Sequence, residues 1–280
     1  MLHGIAIISV VYQNYSVLHD FLNSCAAQTS TVPFHIFIAD LSIVKKAISE
    51  ERLPITVTSS ENKGYAHGVN VAIREAEKQG YTSFCVVNND TYVAPDFIEM
   101  VAKSLNNHPH SLIGGKIYYA PGYEFHKDRY AKEEIGKIFW YAGGMYSPEH
   151  ALVAHRGVDE VDHQQYDSLE KTDFITGCLI CYDSSVKNEV GEWDESYFLY
   201  FEDADYCERA KQKKISLYYD PTLVMWHKNA QSTEGSGSSL HDKYLKKNQI
   251  LFALKYAPLR TKLHVLKNYA ATFFSRQIKK

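Results

Sequence analysis

Cysteine is scarce and unpatterned in this 280-residue chain: Cys25, Cys85, Cys178, Cys181 and Cys207 make an odd count with no framework spacing. Most of them lie inside apolar runs and read as small buried hydrophobes. Cys178 and Cys181 formally match C-x-x-C, but they sit within the apolar run from Phe174 to Tyr182, and no second pair completes a zinc site. A disulfide scaffold is excluded on this pattern, and a reducing, cytoplasmic setting is expected. Excess charge is absent too, because a net charge of -3 makes no demand for nucleic acid as a partner. No apolar run approaches the roughly 18 to 20 residues that a spanning helix needs, so no membrane crossing is expected. The N-terminus lacks a basic region ahead of its apolar one, and Ile5 to Val11 is short and β-branched, which reads as a strand rather than a secretory signal. A phosphate-cradling G-x-x-x-x-G-K-S/T loop is missing. So are internal repeats and low-complexity tracts, apart from a Gly/Ser stretch at 235–239.

What is present suits one large domain, or a domain with an extension: 45% of the residues are hydrophobic, enough for a substantial core. The 21 tyrosines fit sugar stacking and equally fit ordinary half-buried packing. In the first half strands alternate with helices. Strands are expected at Ile5–Val11, Phe34–Ala39, Ile55–Thr58, Ser83–Val87 and Leu112–Tyr118, and helices from Val17, over Gly68–Lys78 and over Asp96–Leu105. This alternation predicts a doubly wound, mainly parallel α/β sheet of Rossmann-like type. From about Ala120 the regularity breaks into loops and short antiparallel pieces. A strand over Phe174–Tyr182, a helix running to about Lys213, and strands at Leu217–Tyr219 and Thr222–Trp226 are expected to close the sheet. Leu240–Ala257 and Thr261–Ser275 read as two helices of a basic C-terminal extension, in which residues 241–280 hold ten Lys or Arg against one acid, Asp242. The expected division is 1–235 for the main domain, with 1–118 chiefly for a nucleotide and 119–235 for acceptor and catalysis, and 236–280 for the extension.

The chemistry-bearing residues gather where such a sheet puts its ligands, just beyond the carboxyl ends of strands. Asp90 follows the apolar strand Ser83–Val87 in Asn88-Asn89-Asp90-Thr91, and Asp40 ends the strand Phe34–Ala39. Asn62-Lys63-Gly64-Tyr65 precedes the helix that holds Asn70, Glu202-Asp203-Ala204-Asp205 opens another, and Trp226-His227-Lys228 ends the last strand. Each has a plainer meaning alone. An Asp after a strand is a common turn residue. Acids at a helix start complement its dipole, with Arg209 placed to pair with one of them at i+4.

Taken in order, these fragments resemble family 2 glycosyltransferases of the GT-A fold, particularly their bacterial rhamnosyltransferase-like branch. The resemblance runs from about Ile5 to Ser232. It rests on Ile7 to Tyr12, Asn62 to Asn70, Val87 to Thr91, Gly191 to Phe198 with Tyr200 to Arg209, and Trp226-His227-Lys228. It implies an inverting transfer of a sugar from a nucleoside diphosphate donor, UDP- or dTDP-linked with dTDP-rhamnose among the candidates, to a hydroxyl of a saccharide or lipid-linked acceptor in cell-surface polysaccharide synthesis. It also implies Mg²⁺ or Mn²⁺, a Lewis acid for the charge that the leaving diphosphate gains. Asp90 matches the last Asp of the family's D-x-D-like motif, here reduced to one carboxylate with Asn88 and Asn89 beside it. His227 matches a position where the family often adds a metal or pyrophosphate ligand, and manganese tolerates such a mixed N/O shell better than magnesium.

By the same resemblance Asp40 holds the base or ribose, Tyr12 and Asn14 line the base pocket, and Asn62, Gly64 and Asn70 belong to the donor site. Gly177 falls near the donor sugar, and the loop 143–166, with His155 and His163, covers it. Asp203 is the expected general base, with Glu202 beside it raising its proton affinity and Asp205 as the second choice. Trp193, Tyr197, Phe198 and Tyr200 offer an acceptor platform. The basic extension serves as a solvated face, a contact with anionic lipid at the inner membrane face, or a dimer surface. Two other functions fit parts of the pattern. A sugar nucleotidyltransferase shares the sheet and the metal-holding Asp, but its Gly-rich basic loop is missing from Ser9–Tyr15. A nucleotide- or carbohydrate-binding protein without catalysis is compatible with the thinned Asn88-Asn89-Asp90 motif, and Glu202-Asp203 speaks against it.

Overall fold

Apolar runs bounded by polar turns become strands, and apolar residues three and four apart become helices. The computed structural model of the protein describes residues 4–229 and 239–267. It begins with β1 (Ile5–Val11), α1 (Leu18–Ala26), β2 (Phe34–Asp40) and β3 (Ile55–Ser59). Next come α2 (Tyr65–Lys78), β4 (Ser83–Val87), β5 (Thr91–Val93), α3 (Phe97–Asn107) and β6 (Ser111–Tyr119). The middle holds β7 (Phe139–Tyr141), a hairpin of β8 (Gly144–Ser147) and β9 (Leu152–His155), and β10 (Glu170–Lys171). Last are β11 (Leu179–Asp183), α4 (Ser184–Val190), α5 (Glu202–Gln212), β12 (Ser216–His227) and α6 (Ser239–Tyr256), with a further helical stretch over 259–267.

Ten strands form one mixed sheet along the path β10-β12-β6-β11-β4-β1-β2-β3, with β5 added on β12 and β7 on β6. The pairs β1–β2, β1–β4, β2–β3 and β6–β12 are parallel, while β11 runs antiparallel between β4 and β6. Strand β4 is buried on both faces, and its side chains alternate between two cores. Phe84 and Val86 join Ile8, Val69, Ile73 and Tyr206 on the side of α2 and α5, whereas Cys85 and Val87 join Ile7, Phe21, Phe97 and Val101 on the side of α1 and α3. Each such side chain contributes about 1.5–3 kcal/mol, which anchors the strand and so the polar residues that follow Val87. All five cysteines are buried and free.

Three expectations change. The strand foreseen over Phe174–Tyr182 is limited to Leu179–Asp183; Phe174 and Ile175 are core residues, and Thr176–Cys178 turn toward the site. The two last strands are one, β12, with a register shift between Asp220 and Val224 where Pro221 cannot donate to the ladder. Asp220 caps that irregularity, accepting from Thr222 N at 3.0 Å and Ser104 Oγ at 2.6 Å. Helix α2 begins at Tyr65 rather than Gly68, because the Tyr65 amide donates to the Phe198 carbonyl (2.9 Å), which replaces a local cap. At the C-terminus, Phe252, Ala253 and Ala257 are buried in the main core. The expected boundary at 235, the Gly/Ser stretch except Ser239 and the second helix beyond 267 lie outside the described residues.

Candidate active site

Beyond Val87 the chain turns into β5, which pairs with the end of β12 so that Thr91 faces His227 across the ladder. This register brings Asp90 and His227 together, with Asp90 Oδ1 3.2 Å from His227 Nε2 and both side chains buried. Lys228 N donates to the Asp90 carbonyl (2.8 Å), which closes the corner. The His227 ring stands edge-on to Trp140 at 4.5 Å, and Trp140 meets His155 in turn at 4.4 Å. On the other side Asn88 N donates to the Cys178 carbonyl (3.1 Å), so β4 and the turn before β11 end together. The Tyr65 hydroxyl lies 2.9 Å from Asn88 Oδ1 and 3.0 Å from the Gly177 carbonyl, linking the helix start to both. Asn89 is buried beside Asp90.

Asp203 sits in the first turn of α5, and its carboxylate accepts from Gly177 N (Oδ2, 2.8 Å) and Ala204 N (Oδ1, 2.8 Å). A Cβ on Gly177 would stand 3.3 Å from the Asp203 Cβ, so the turn and the carboxylate approach closely. Desolvation raises the Asp203 pKa against the opposing pull of these amides. Glu202 is pushed well above the ordinary carboxylate range, first by burial and then by the charge of Asp203, and its Oε2 meets no hydrogen-bond partner among the described residues. Burial thus raises both members of this pair, and at Glu202 the charge of Asp203 adds to the rise. The segment entering α5 is unusual: Tyr200 (φ 69°) and Phe201 (φ 72°) are successive non-glycine residues in the left-handed region. Such strain persists only where the surroundings enforce it.

Asp205 stands apart from this cluster. It is fully buried and held by Arg209 Nε (2.8 Å), Lys255 Nζ (2.8 Å) and Tyr256 OH (2.7 Å), which makes it an anchor between α5 and α6. The residues expected at the donor divide in the same way. Asp40 ends β2, buried, with Oδ2 accepting from Tyr15 OH (2.8 Å) and Oδ1 from Ser42 N (2.9 Å); exposed Tyr12, and Asn14, precede Tyr15 at the same rim. Asn62 Oδ1 accepts from Gly64 N (3.1 Å) in a local turn. The freedom of Gly64 serves protein packing, because a Cβ there would lie 2.3 Å from the Phe198 carbonyl oxygen at a φ of +107°. Asn70 is buried and spent on the segment before α5, receiving Trp193 N (2.9 Å) and donating to Trp193 O (2.9 Å) and Glu195 Oε1 (3.0 Å). Asn70 thus braces the segment before α5.

Of the expected aromatic platform, Trp193 and Tyr197 are core residues, while Phe198 and Tyr200 remain partly exposed. The loop 143–166 contains the β8–β9 hairpin and is tied to the sheet by Asp162, which Lys116 Nζ meets at 3.1 Å. His155 packs against Trp140 and Tyr141, with burial lowering its pKa to about 4, and His163 is exposed. Two residues escaped sequence reasoning. Tyr65 lay inside a recognised fragment without a role, and Asn248 of α6, which donates to the carbonyls of Leu199 (2.8 Å) and Tyr200 (3.0 Å), gave no signal beyond an amide on an aromatic face.

A single cation fits the donor set at Asp90 and His227. Two ligands at right angles with bonds of ~2.1 Å lie about 3 Å apart, close to the observed 3.2 Å. The buried His227 Nδ1 has no hydrogen-bond partner among the described residues. No group of three or more His, Cys, Asp or Glu is placed for metal binding among the described residues, so a cation here would take its remaining ligands from water, backbone carbonyls or a bound molecule.

Residues 6–159, just over half the chain, match the profile of Glycosyl transferase family 2. A low-salt glycan biosynthesis hexosyltransferase, Agl10, of Haloferax volcanii is 22% identical over 162 residues, which cover 58% of this chain and 47% of that protein. The crystal structure of GalNAc-T7 with UDP, GalNAc and Mn²⁺ superposes with a TM-score of 0.61 at 13% identity, over 88% of this chain and 48% of that one. TarS of S. aureus, residues 1–349 in complex with UDP, gives a TM-score of 0.47 at 16% identity, over 78% of this chain and 60% of that one. The chain thus spans about half the length of the hexosyltransferase and of GalNAc-T7. The fold is GT-A-like: a mixed, mostly parallel sheet flanked by helices, with a small antiparallel sheet beside it.

Proposed function

The chain belongs to glycosyl transferase family 2, and from that premise we propose that it is an inverting hexosyltransferase moving a sugar from a UDP- or dTDP-linked donor, dTDP-rhamnose among the candidates. The acceptor is a hydroxyl of a saccharide or lipid-linked saccharide in cell-surface polysaccharide synthesis. The observation that carries this reading is the meeting of Asp90 and His227 at 3.2 Å at the carboxyl end of the sheet, with the Asp203 carboxylate held by Gly177 in the same strand-end cluster.

Asp90 and His227 would hold the divalent cation, Mn²⁺ or Mg²⁺, beside the donor diphosphate. The chemistry supplied there would be Lewis-acid neutralisation of the charge gathering on the departing diphosphate. Asn88 and Asn89 offer neutral amides beside the same oxygens, and Asp40, Tyr12, Asn14, Asn62 and Gly64 form the rim for the base and ribose. Asp203 takes the proton of the acceptor hydroxyl as that oxygen bonds to the anomeric carbon and the bond to the diphosphate breaks, which inverts the centre. Gly177 N and Ala204 N fix the carboxylate for this task, and Glu202, its pKa pushed up by burial, lies beside it. The acceptor side brings in the C-terminus: Leu259, Leu263 and Leu266 are exposed at helical spacing among Arg260, Lys262 and Lys267, a face for an anionic lipid surface at the cytoplasmic side of a membrane.

The test is calorimetric titration of UDP, dTDP and GDP, with and without Mn²⁺, on wild type, Asp90→Ala and Asp203→Asn. Metal-dependent binding of one nucleotide, lost in Asp90→Ala and kept in Asp203→Asn, is the expected result. Binding of none of them with metal present overturns the reading and leaves a non-catalytic domain of this fold.

A further inference from the structure

Helix α6 grips the segment that carries the candidate base at four successive points along one face. Tyr244 stacks on Phe198 (centroids 4.8 Å apart), and Phe252 packs on Phe201 (5.3 Å). Between them Asn248, fully buried, donates both hydrogens of its amide to the adjacent carbonyls of Leu199 and Tyr200. One turn further on, Lys255 and Tyr256 hold Asp205, and Lys255 also reaches Asp194. Positions 244, 248, 252 and 256 are four apart and so share one side of a helix.

The Asn248 contact is specific in kind. Successive carbonyls in extended chain point to opposite sides; here the backbone curls through the left-handed pair Tyr200–Phe201, and both face one amide. Of the uncharged side chains only the Asn or Gln NH₂ group offers two donors from one atom. Two strained residues precede Glu202 and Asp203 directly, so whatever holds their shape also sets where the Asp203 carboxylate stands. Phe198 extends the grip, because its carbonyl receives Tyr65 N (2.9 Å) and abuts Gly64.

We propose that α6 is a positioning element of the active site, in which Asn248 holds the left-handed turn at Tyr200–Phe201 so that Asp203 is presented to the acceptor. This rests on the reading of Asp203 as the general base. Asn248 touches no reacting atom and acts through the backbone of the turn. The basic C-terminal segment thus has an inner face that belongs to catalysis, whatever its outer face meets.

Two full-length variants test this. Asn248→Asp keeps the shape and removes both N–H donors, and Asn248→Ala removes the group without adding a charge. Amide hydrogen exchange is followed by mass spectrometry for peptides spanning 197–205, with peptides of β4 and α2 as internal references. Alongside it, release of UDP or dTDP is measured from UDP-glucose, UDP-N-acetylglucosamine and dTDP-rhamnose, with UDP and dTDP titrations in Mn²⁺. Exchange over 197–205 is expected to quicken by about 10- to 100-fold with the references unchanged, since two hydrogen bonds are lost. Turnover should fall by about 10- to 100-fold with donor KM and nucleotide affinity unchanged. Unchanged exchange over 197–205 in both variants overturns the proposal. So does a general loss of protection in which nucleotide affinity falls together with turnover, because that marks a merely structural residue. If instead Asp203→Asn turns over donor as wild type does, the base assignment fails, while the exchange result still reports whether α6 holds the turn.

Discussion

Replacing Gly64 by alanine perturbs the junction between α2 and the segment before α5 at one atom, and its cost follows from two separable effects. The backbone there has φ +107° and ψ 174°, a region essentially reserved for glycine. Holding a residue with a side chain in it costs about 1–3 kcal/mol. The added Cβ also falls 2.3 Å from the Phe198 carbonyl oxygen and 2.7 Å from its Cα, both backbone atoms that no rotamer change can move. Relief requires the Phe198 segment to retreat, which stretches the 2.9 Å bond from Tyr65 N to that carbonyl and gives up about 0.5–1.5 kcal/mol. The sum is a destabilisation of about 1.5–4.5 kcal/mol, or a fall in Tm of about 3 to 18 °C. Retreat of Phe198 also moves Tyr65 away from Asn88 and Gly177, and misplacement on that scale lowers turnover by about 100-fold. Thermal unfolding by circular dichroism and diphosphate release from UDP- and dTDP-sugars measure the two consequences. A variant destabilised by less than about 0.5 kcal/mol, the range of an ordinary surface substitution, with turnover intact would refute the packing argument.

Other outcomes follow from single groups. A base must be ionised to accept a proton, and burial raises the Asp203 pKa above the usual 3.8, so turnover should fall as pH drops through a value higher than that. In a pH–rate profile Glu202→Gln should leave this acid limb in place, since burial and the charge of Asp203 both raise the Glu202 pKa; a limb displaced to lower pH would show Glu202 ionised beside Asp203. Asn70→Ala removes three hydrogen bonds to Trp193 and Glu195. It should cost about 2–4 kcal/mol in urea unfolding, whereas an unchanged midpoint with lost nucleotide affinity would return Asn70 to the donor site. Leu263→Glu should weaken co-sedimentation with vesicles containing anionic lipid and leave nucleotide titration unaltered, and equal sedimentation of variant and wild type would remove the lipid surface as a partner.

The parts of this fold that were legible in the sequence are those whose causes are local. Strands β1 and β4 have their expected bounds, because an unbroken apolar run of five to seven residues between turn residues leaves a buried strand few alternatives. Asp40, Asp90, Asp203 and His227 stand out in the sequence because they follow apolar runs or open a helix. Their grouping was a matter of family order alone. Whether Asp90 reaches His227 depends on β5 pairing antiparallel with β12, a register fixed by the fold and by no feature of either segment. The same distinction explains what was missed. Residues 174–178 have strand composition, but Phe174 and Ile175 are drawn into the core ahead of β11. The first turn of α2 is capped by a carbonyl remote in sequence.

The C-terminal segment carries this furthest. By composition, residues 241–280 read as a basic surface, ten cations against one acid, and the lysines beside the stripe at Tyr244, Asn248, Phe252 and Tyr256 mask it. The stripe becomes visible only against its partner, the strained turn before Asp203. The turn in turn has no local reason to curl: neither Tyr200 nor Phe201 is a residue that favours the left-handed region. Each half lacks an explanation alone, and each supplies the other's. Carboxylates that take protons must be held within a fraction of an ångström, and a rigid helix gripping the backbone beside them achieves that better than the loop itself. Site geometry in this chain is therefore written in pairs of segments distant in sequence, while the candidate polar groups themselves are written in single strand ends and helix starts.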